Sequence, residues 1–367
     1  MRIYEILIKF SVRLWEQRSQ CFAFVNNINN ETMDLVMNIL YRLVKLSVLV
    51  AVLGTVVGCV SPVFDLGVRN PEPSGLKYEN VASESSVISY MSSRDAAEVM
   101  GSGPLLTFNL KQNDAPLKEV EYLISNTEAE LISRGIAVSF LPEGEGETTV
   151  TINSLKMVNH RVSGFSPLVT LTSLSADIEF EGKTHRVVSF VKRGKVPVWS
   201  LTEEPIVENV FNQPLAVLVQ DFSSAINKNL FGYKVSDSDA NALIADVRAG
   251  MSQNQVDYLA VYKLGFSNNL KVEPLLVELI GSDDEYVRLA AVSSLGALKS
   301  ESSLGLLQKL YSTSKLWQDR GMALKAIGNI GTEEAFKFID EERKKIESSD
   351  VKSKEQIWNA DILSLFL

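Results

Sequence analysis

Arg288-Leu-Ala-Ala-Val-Ser-Ser-Leu-Gly296 is the stretch that decides how the C-terminal third folds, because it recurs. Tyr258-Leu-Ala-Val-Tyr-Lys-Leu-Gly265 precedes it and Arg320-Gly-Met-Ala-Leu-Lys-Ala-Ile-Gly328 follows it, with glycines 31 and 32 residues apart. Ala260, Ala291 and Ala323 each stand five residues before a glycine, and Leu264, Leu295 and Ile327 directly before it. A fixed period of this length marks stacked supersecondary units that bury their apolar faces only against one another. Pro274-Leu-Leu-Val-Glu-Leu-Ile and Leu304-Gly-Leu-Leu-Gln-Lys-Leu supply a first helix to their units. Asp283-Asp-Glu-Tyr-Val-Arg opens a second helix with acids in the first turn, where the helix dipole favours them. A degenerate fourth unit runs from Phe336 to Leu367, with Trp358, Ile362 and Leu363 on its apolar stripe and the polar run from Glu341 to Glu347 as its cap.

These helix pairs resemble HEAT-type repeats. The resemblance implies a short all-α solenoid over residues 236–367, in which the small Ala admits the neighbouring helix and one face is free to bind another protein.

Upstream, residues 100–232 read as an α+β domain. Leu105-Leu-Thr-Phe-Asn-Leu fits a strand. Asp114 and Pro116 are placed to open a helix, Leu117, Val120, Ile124 and Leu131 continue it, and Gly135 fits its left-handed stop. Ile136-Ala-Val-Ser-Phe is a second strand. Longer strands follow over 149–158, 168–180 and 184–192, the last two joined at Glu181-Gly182-Lys183. Leu174, Ala176, Ile178 and Phe180 alternate onto a core. A closing helix from Pro205 or Pro214 carries Leu215, Leu218, Phe222, Ile226 and Leu230. The expected architecture is an antiparallel-rich sheet with helices on one face. This order, with Leu131-Ile-Ser-Arg-Gly-Ile-Ala-Val and the helix from Leu215 to Leu230, resembles small outer-membrane lipoproteins of the YajG type and the auxiliary lipoproteins of ABC transport systems. It is a likeness of fold, which does not carry function with it.

The N-terminal region points to a compartment. Arg42 and Lys45 precede a short apolar run from Leu46 to Val57, which ends in Val56-Val57-Gly58-Cys59. A positive flank, a short apolar core and a small residue describe a secretory signal. The Cys after the Gly resembles the bacterial lipobox, which implies lipid attachment at Cys59 after cleavage of a signal peptide over 37–58. Cys21 lies before the cleavage point, so Cys59 has no partner for an internal disulfide. Residues 1–36 stand outside this pattern, and translation from Met37 is the expectation. The alternative is a cytoplasmic extension ahead of a signal-anchor helix from Ile39 to Val57. Residues 59–99, rich in Ser, Pro, Gly and Asn, read as a flexible tether.

Charge narrows the partners. The chain of 367 residues has a formal net charge of -9 with two His. Of its 36 Lys/Arg and 45 Asp/Glu, six and four fall in residues 1–58, so the remainder carries -11. Such a surface disfavours nucleic acid. A lipid anchor in the membrane and an unidentified envelope protein are the expected partners, and no cofactor is expected. Val60 after the Cys resembles the pattern of lipoproteins sent on to the outer membrane, facing the periplasm.

Catalytic and metal patterns are weak. His160 and His185 sit on neighbouring strands without ligand-spaced partners. Asp237-Ser-Asp-Ala-Asn starts like a calcium loop but has Ala242 and Arg248 where Gly and Glu are needed, so Ser236 or Asp237 is expected to cap a helix. Gly101-Ser-Gly-Pro lacks the ending of a phosphate loop, and Gly164-Phe-Ser-Pro lacks the second Gly of a nucleophile elbow. Glu143 to Glu147 reads as a solvated acidic turn, and Trp199 and Trp317 as candidate contact residues. The expectation is a binding protein and not an enzyme: a membrane-anchored scaffold acting through its repeats, or else an auxiliary subunit of an envelope system exporting lipid or polysaccharide.

Overall fold

The computed structural model describes residues 41–42, 63–94, 100–103, 105–142, 144, 148–161, 163, 166–196, 204–350 and 352–367. The chain divides into two units, Met1–Val60 and Ser61–Leu367. Apart from residues 41 and 42, the described residues belong to the second.

At the centre of this second unit is a five-stranded mixed sheet in the order β5-β2-β6-β7-β8. β2 (Ser86–Ser92) lies parallel to both β5 (Val138–Pro142) and β6 (Thr148–His160). β6, β7 (Leu168–Phe180) and β8 (Lys183–Val196) form the expected antiparallel meander. The turn after β7 is two residues long, with Glu181 and Gly182 at φ 50° and 72°, the left-handed pair that matches strand twist in a tight hairpin. A smaller sheet pairs β1 (Val63–Gly67) in parallel with β3 (Thr107–Gln112), and β3 with the two-residue β4 (Ala115–Pro116).

Two expectations need correction. Residues 59–99 are not a flexible tether over their described part: β1 and β2 are sheet strands, and Leu66, Leu76, Tyr78 and Ile88 are buried. Short apolar residues spaced among Ser, Pro and Asn hide this from composition. Asp114 and Pro116 do not open a helix either. Asn113 and Asp114 take positive φ of 51° and 63°, so the chain turns back as a hairpin and Pro116 pairs with Lys111. Asn and Asp tolerate that region better than other side chains, and here the turn outcompetes the cap. The helix, α1 (Glu119–Ser133), starts with Lys118 at its N-cap and no side-chain cap bond. Gly135, at φ 103°, ends it as expected.

The closing helix is long and interrupted. A turn at Glu204–Val207 passes through a π segment, Glu208–Asn212, into α2 (Gln213–Ile226) and a second π segment, Asn227–Phe231. Pro214 has no N–H for the carbonyl one turn back at Val210. That carbonyl instead accepts a bond from the Thr170 hydroxyl on β7, at 3.0 Å. Leu174, Ala176 and Ile178 face this layer and are fully buried, along with Phe211 and Phe222. Phe180, at the hairpin, is only half-buried.

Residues 237–364 form helix pairs, α3 (Asp237–Ser252) with α4 (Tyr258–Phe266), α5 (Glu273–Leu279) with α6 (Glu285–Ala297), α7 (Leu304–Thr313) with α8 (Trp317–Ile330), and α9 (Glu333–Glu347) with α10 (Lys354–Ser364). Ser236 caps α3 by accepting from the Asp239 N–H. Asp284 caps α6 by accepting from the Tyr286 and Val287 N–H groups. Arg288 reaches Asp319 of the next unit at 2.9 Å, and Arg320 reaches Glu355 at 2.6 Å. These pairs link successive second helices.

The recurring glycine sets their spacing more tightly than the alanine does. A Cβ on Gly265 would lie 2.6 Å from Ser294 Cβ, one on Gly296 2.6 Å from Ala326 Cα, and one on Gly328 2.3 Å from the Phe366 ring. Gly296→Ala should therefore lower stability by about 1–3 kcal/mol, although Ala is the better helix former by about 1 kcal/mol. Urea denaturation checks the sign.

The solenoid is not a separate domain hung after residue 236. α8 packs on β8, and α4 and α6 pack on α2, so both parts belong to the single unit Ser61–Leu367. Lys325 of α8 is fully buried and bonds Asp221 of α2 at 3.0 Å and the Ser293 hydroxyl at 2.9 Å. Ser189 of β8 donates to the same carboxylate at 2.6 Å. Lys192 pairs with Glu285, and Arg193 lies between the Tyr258 and Tyr286 rings, 4.1 and 3.9 Å from their centroids. Asn329 donates to the Val188 carbonyl of β8 at 2.9 Å.

Candidate functional site

Because α10 turns under the sheet, the face of β6-β7-β8 away from α2 is roofed by a helix, and a cavity of about 670 Å³ remains between them. Strand alternation builds its floor. Ser154, Lys156, Val158 and His160 of β6 all contribute, and register sets Lys156 beside Ser173 and Ser173 beside Phe190. Val158 stands beside Leu171. The roof is Ile357, Trp358, Asp361, Ile362 and Leu365.

The two ends of α10 are tied down differently. At its start Ser353 and Gln356 form a capping box, and Trp358 packs against Trp317 at 4.3 Å and edge-on to His160 at 5.2 Å. Lys354 lies 4.9 Å from the Trp358 centroid. Burial, and then the Lys354 charge, hold the His160 imidazole below its usual pKa. At its far end the Leu365 carbonyl accepts from the Ser175 hydroxyl at 2.7 Å, and Arg186 makes a two-pronged pair with Asp177 at 2.6 and 2.9 Å. Between them Asp361 faces the field of Lys156. Although the residue is exposed overall, desolvation of its carboxyl beside the sheet raises its pKa, and Lys156 works against that rise.

The lining is graded. Leu171, Phe190 and Ile362 are buried, whereas Lys156 and Asp361 are exposed at the mouth. Ser154, Ser173, Ser175, Arg186 and Ser364 also line it, so the wall is mixed polar and apolar. No charge triad or activated nucleophile is assembled by these contacts.

A narrower cleft of about 40 Å³ opens between α2 and α6 beside Lys228 and Lys299. Lys228 donates to the Leu298 carbonyl. Burial first, and then the Lys299 charge, lower its pKa from 10.5 to about 8. The unfolded chain therefore holds this proton to higher pH than the folded chain does. Stability from this group should be lowest below pH 8 and rise from about 8 toward 10.5, since the unfolded state binds more protons there. Lys228→Met should flatten that rise in denaturation midpoints measured across the range.

Of the residues singled out from sequence, Val56, Val57, Gly58 and Cys59 lie outside the described residues, as does Trp199. His160 and His185 are not brought together: β7 lies between their strands, with His160 opposite Val169 and His185 opposite Ile178 at the other end of β7. Among the described residues there is no cluster of three or more His, Cys, Asp or Glu able to hold a metal ion. The Asp237 carboxylate accepts from Asn269 and Lys271. Gly101 donates its N–H to the Met157 carbonyl at 2.8 Å, so that glycine loop is a packing connection onto β6. Trp317 meets Trp358 at one end of the cavity. Among the described residues no helix is long and apolar enough to cross a membrane.

The cavity itself was missed from sequence. A trace of it lies in Leu168-Val-Thr-Leu-Thr-Ser-Leu-Ser-Ala176, uncharged on both parities, as a strand covered on both faces reads.

No curated protein matches this chain in sequence. Among the solved structures that it resembles, two align with less than half of this chain. A protein from Xanthomonas campestris assigned to the DUF330 family is 13% identical over 44% of this chain and 91% of its own, with a TM-score of 0.29. An uncharacterized protein is 10% identical over 45% of this chain and 99% of its own, with a TM-score of 0.27. The family description HEAT repeats matches residues 248–328 and 272–352. Residues 248–352 of this chain therefore match HEAT repeats, and they follow a mixed α+β sheet.

Proposed function

We propose that this chain is a lipid-anchored bacterial envelope protein, without enzymatic activity, that binds another envelope protein through its repeats. The supporting observation is which row of helices remains available. α4, α6, α8 and α10 are used against the chain's own sheet, so the outward row, α3, α5, α7 and α9, is the surface left to a partner. Val277 on α5 and Phe336 on α9 are exposed there. Anchoring at Cys59, after the lipobox Val56-Val57-Gly58, would confine this surface to one membrane, the outer membrane facing the periplasm in this reading. Weak contacts then suffice through effective concentration.

Removing residues 236–367 is a poor test, because it strips β8 and α2 of their packing. Val277→Glu with Phe336→Glu charges the outward row at two exposed positions and should keep the fold. In crosslinking from intact membranes the double variant should lose the partner captured by the unaltered chain, and equal capture would sink the scaffold reading. Cys59→Ser should release the protein from the membrane fraction. Unchanged retention would favour a signal-anchor helix. The second reading, an auxiliary subunit of a lipid or polysaccharide export system, is favoured by the cavity under α10. It requires that variants filling the cavity fail to complement a deletion strain while outward-row variants succeed.

A further inference from the structure

We infer that the corner of the molecule where β1 and β3 begin lies against the headgroup surface of the membrane that holds the lipid anchor, with Val63 and Leu105 as its contact residues. This rests on lipid attachment at Cys59 and adds an orientation to it. The carrying observation is that folded structure starts almost at the anchor. Val60, Ser61 and Pro62 are all that stand between Cys59 and β1, so the chain from Cys59 to Val63 spans at most about 14 Å. A folded chain of about 300 residues has a radius of gyration of about 19 Å. The leash is shorter than the body is thick, so the anchored body cannot turn a different end to the bilayer.

The chemistry of this corner suits a lipid surface. β1 and β3 run parallel with Val63 beside Thr107, and Leu105 comes two residues ahead of Thr107. Val63 is 55% exposed and Leu105 43%. Alternation sends Phe108 the other way, fully buried against Phe211 at 4.9 Å, so the start of each strand keeps one apolar residue without protein cover. Farther along the outer face come Asp65, Asn109 and Lys111, where Lys111 pairs with Asp65 at 2.6 Å and Asn109 donates to it at 3.1 Å. Polarity therefore rises with distance from the anchor, in the order of the membrane boundary itself. The first acid met is already neutralised, which removes its repulsion from anionic headgroups. A Cβ on Gly103 would lie 2.3 Å from the Asn159 carbonyl oxygen, which puts this corner at the His160 end of β6. Leu141, also exposed, marks the opposite end, since Ser89 pairs with both Leu141 and Thr149. From Thr149 to Asn159 is roughly 33 Å of strand.

The test uses the full chain in ruptured membranes, carrying Val63→Cys, Leu105→Cys or Leu141→Cys, and a membrane-impermeant maleimide. Val63→Cys and Leu105→Cys should react roughly tenfold more slowly than Leu141→Cys, because headgroups occupy the layer the reagent must cross. Inserting about 20 Gly/Ser residues between Ser61 and Pro62, a coil of about 25 Å, should bring both to the Leu141→Cys rate while the protein stays in the membrane fraction. Labelled palmitate, taken up by the unaltered chain and not by Cys59→Ser, reads the anchor separately. With palmitate present, equal rates at the three positions, or slow rates that survive the insertion, would overturn the orientation and leave the anchor standing. Absence of palmitate from the unaltered chain would remove the anchor, and this inference with it.

Discussion

Asp221→Ala should destabilise the unit Ser61–Leu367 by about 3–5 kcal/mol, the largest effect expected of a single substitution between the sheet layer and the repeats. The reason is what it leaves behind. The Lys325 ammonium is fully buried, and with Asp221 gone only the Ser293 hydroxyl remains among its bonded partners. Ser189 also loses its acceptor. A buried ion pair adds little over well-packed apolar residues, because desolvation consumes most of its attraction, but half a pair is costly. The double variant Asp221→Leu with Lys325→Met should therefore recover most of the loss. Urea unfolding of the two single variants and the double variant gives the coupling directly. A double variant no better than Asp221→Ala would show that shape, not charge, dominates the contact.

Arg134→Met should cost about 3–5 kcal/mol as well, and for a related reason at positions of α2 that flank Asp221. Arg134 is fully buried at the end of α1. It bonds Glu130 at 2.6 Å, the Tyr78 hydroxyl at 2.7 Å, the Ser224 hydroxyl at 2.6 Å and the Gln220 carbonyl at 3.1 Å. Glu130 in turn accepts from the Ser74 N–H at 2.9 Å and from its hydroxyl, and Tyr78 donates to the Phe266 carbonyl of α4 at 3.0 Å. One guanidinium thus joins the segment after β1, two helices and the first repeat. Hydrogen exchange should show the amides of residues 74–78 losing protection along with those of α4. Loss confined to α1 would mean the network does not couple them.

Both arrangements were partly legible. Arg134-Gly135 was visible as a helix ending, since a glycine after an apolar helical stripe marks the stop. The Glu130–Arg134 pair has local i,i+4 spacing, but nothing local marks Arg134 as buried, because the hydroxyls it also bonds lie 56 and 90 residues away. Lys325 sits in the motif Arg320 to Gly328, where nothing in the repeat spacing marks it as buried. Only the docking of α8 on α2, 104 residues earlier, makes it a core residue. The cavity follows the same logic: Lys156 and Asp361 belong to elements with no shared pattern.

The amino-acid order determined on its own whatever depends on short-range periodicity. The recurring Gly and Ala set the helix pairs of the repeats. The apolar alternation of residues 168–180 and the Glu181-Gly182 pair set the meander, and Gly135 set the end of α1. These depend on backbone sterics and on which face of a single element is apolar. Tertiary structure alone decided that Val63–Gly67 and Ser86–Ser92 enter the sheets, that the second helices of the solenoid are used inside the molecule, and that α10 closes a cavity on the sheet's other face. Those outcomes depend on desolvation and on partners far apart in the chain, and a buried charge or a roofed sheet looks like a surface until the opposite wall is in place.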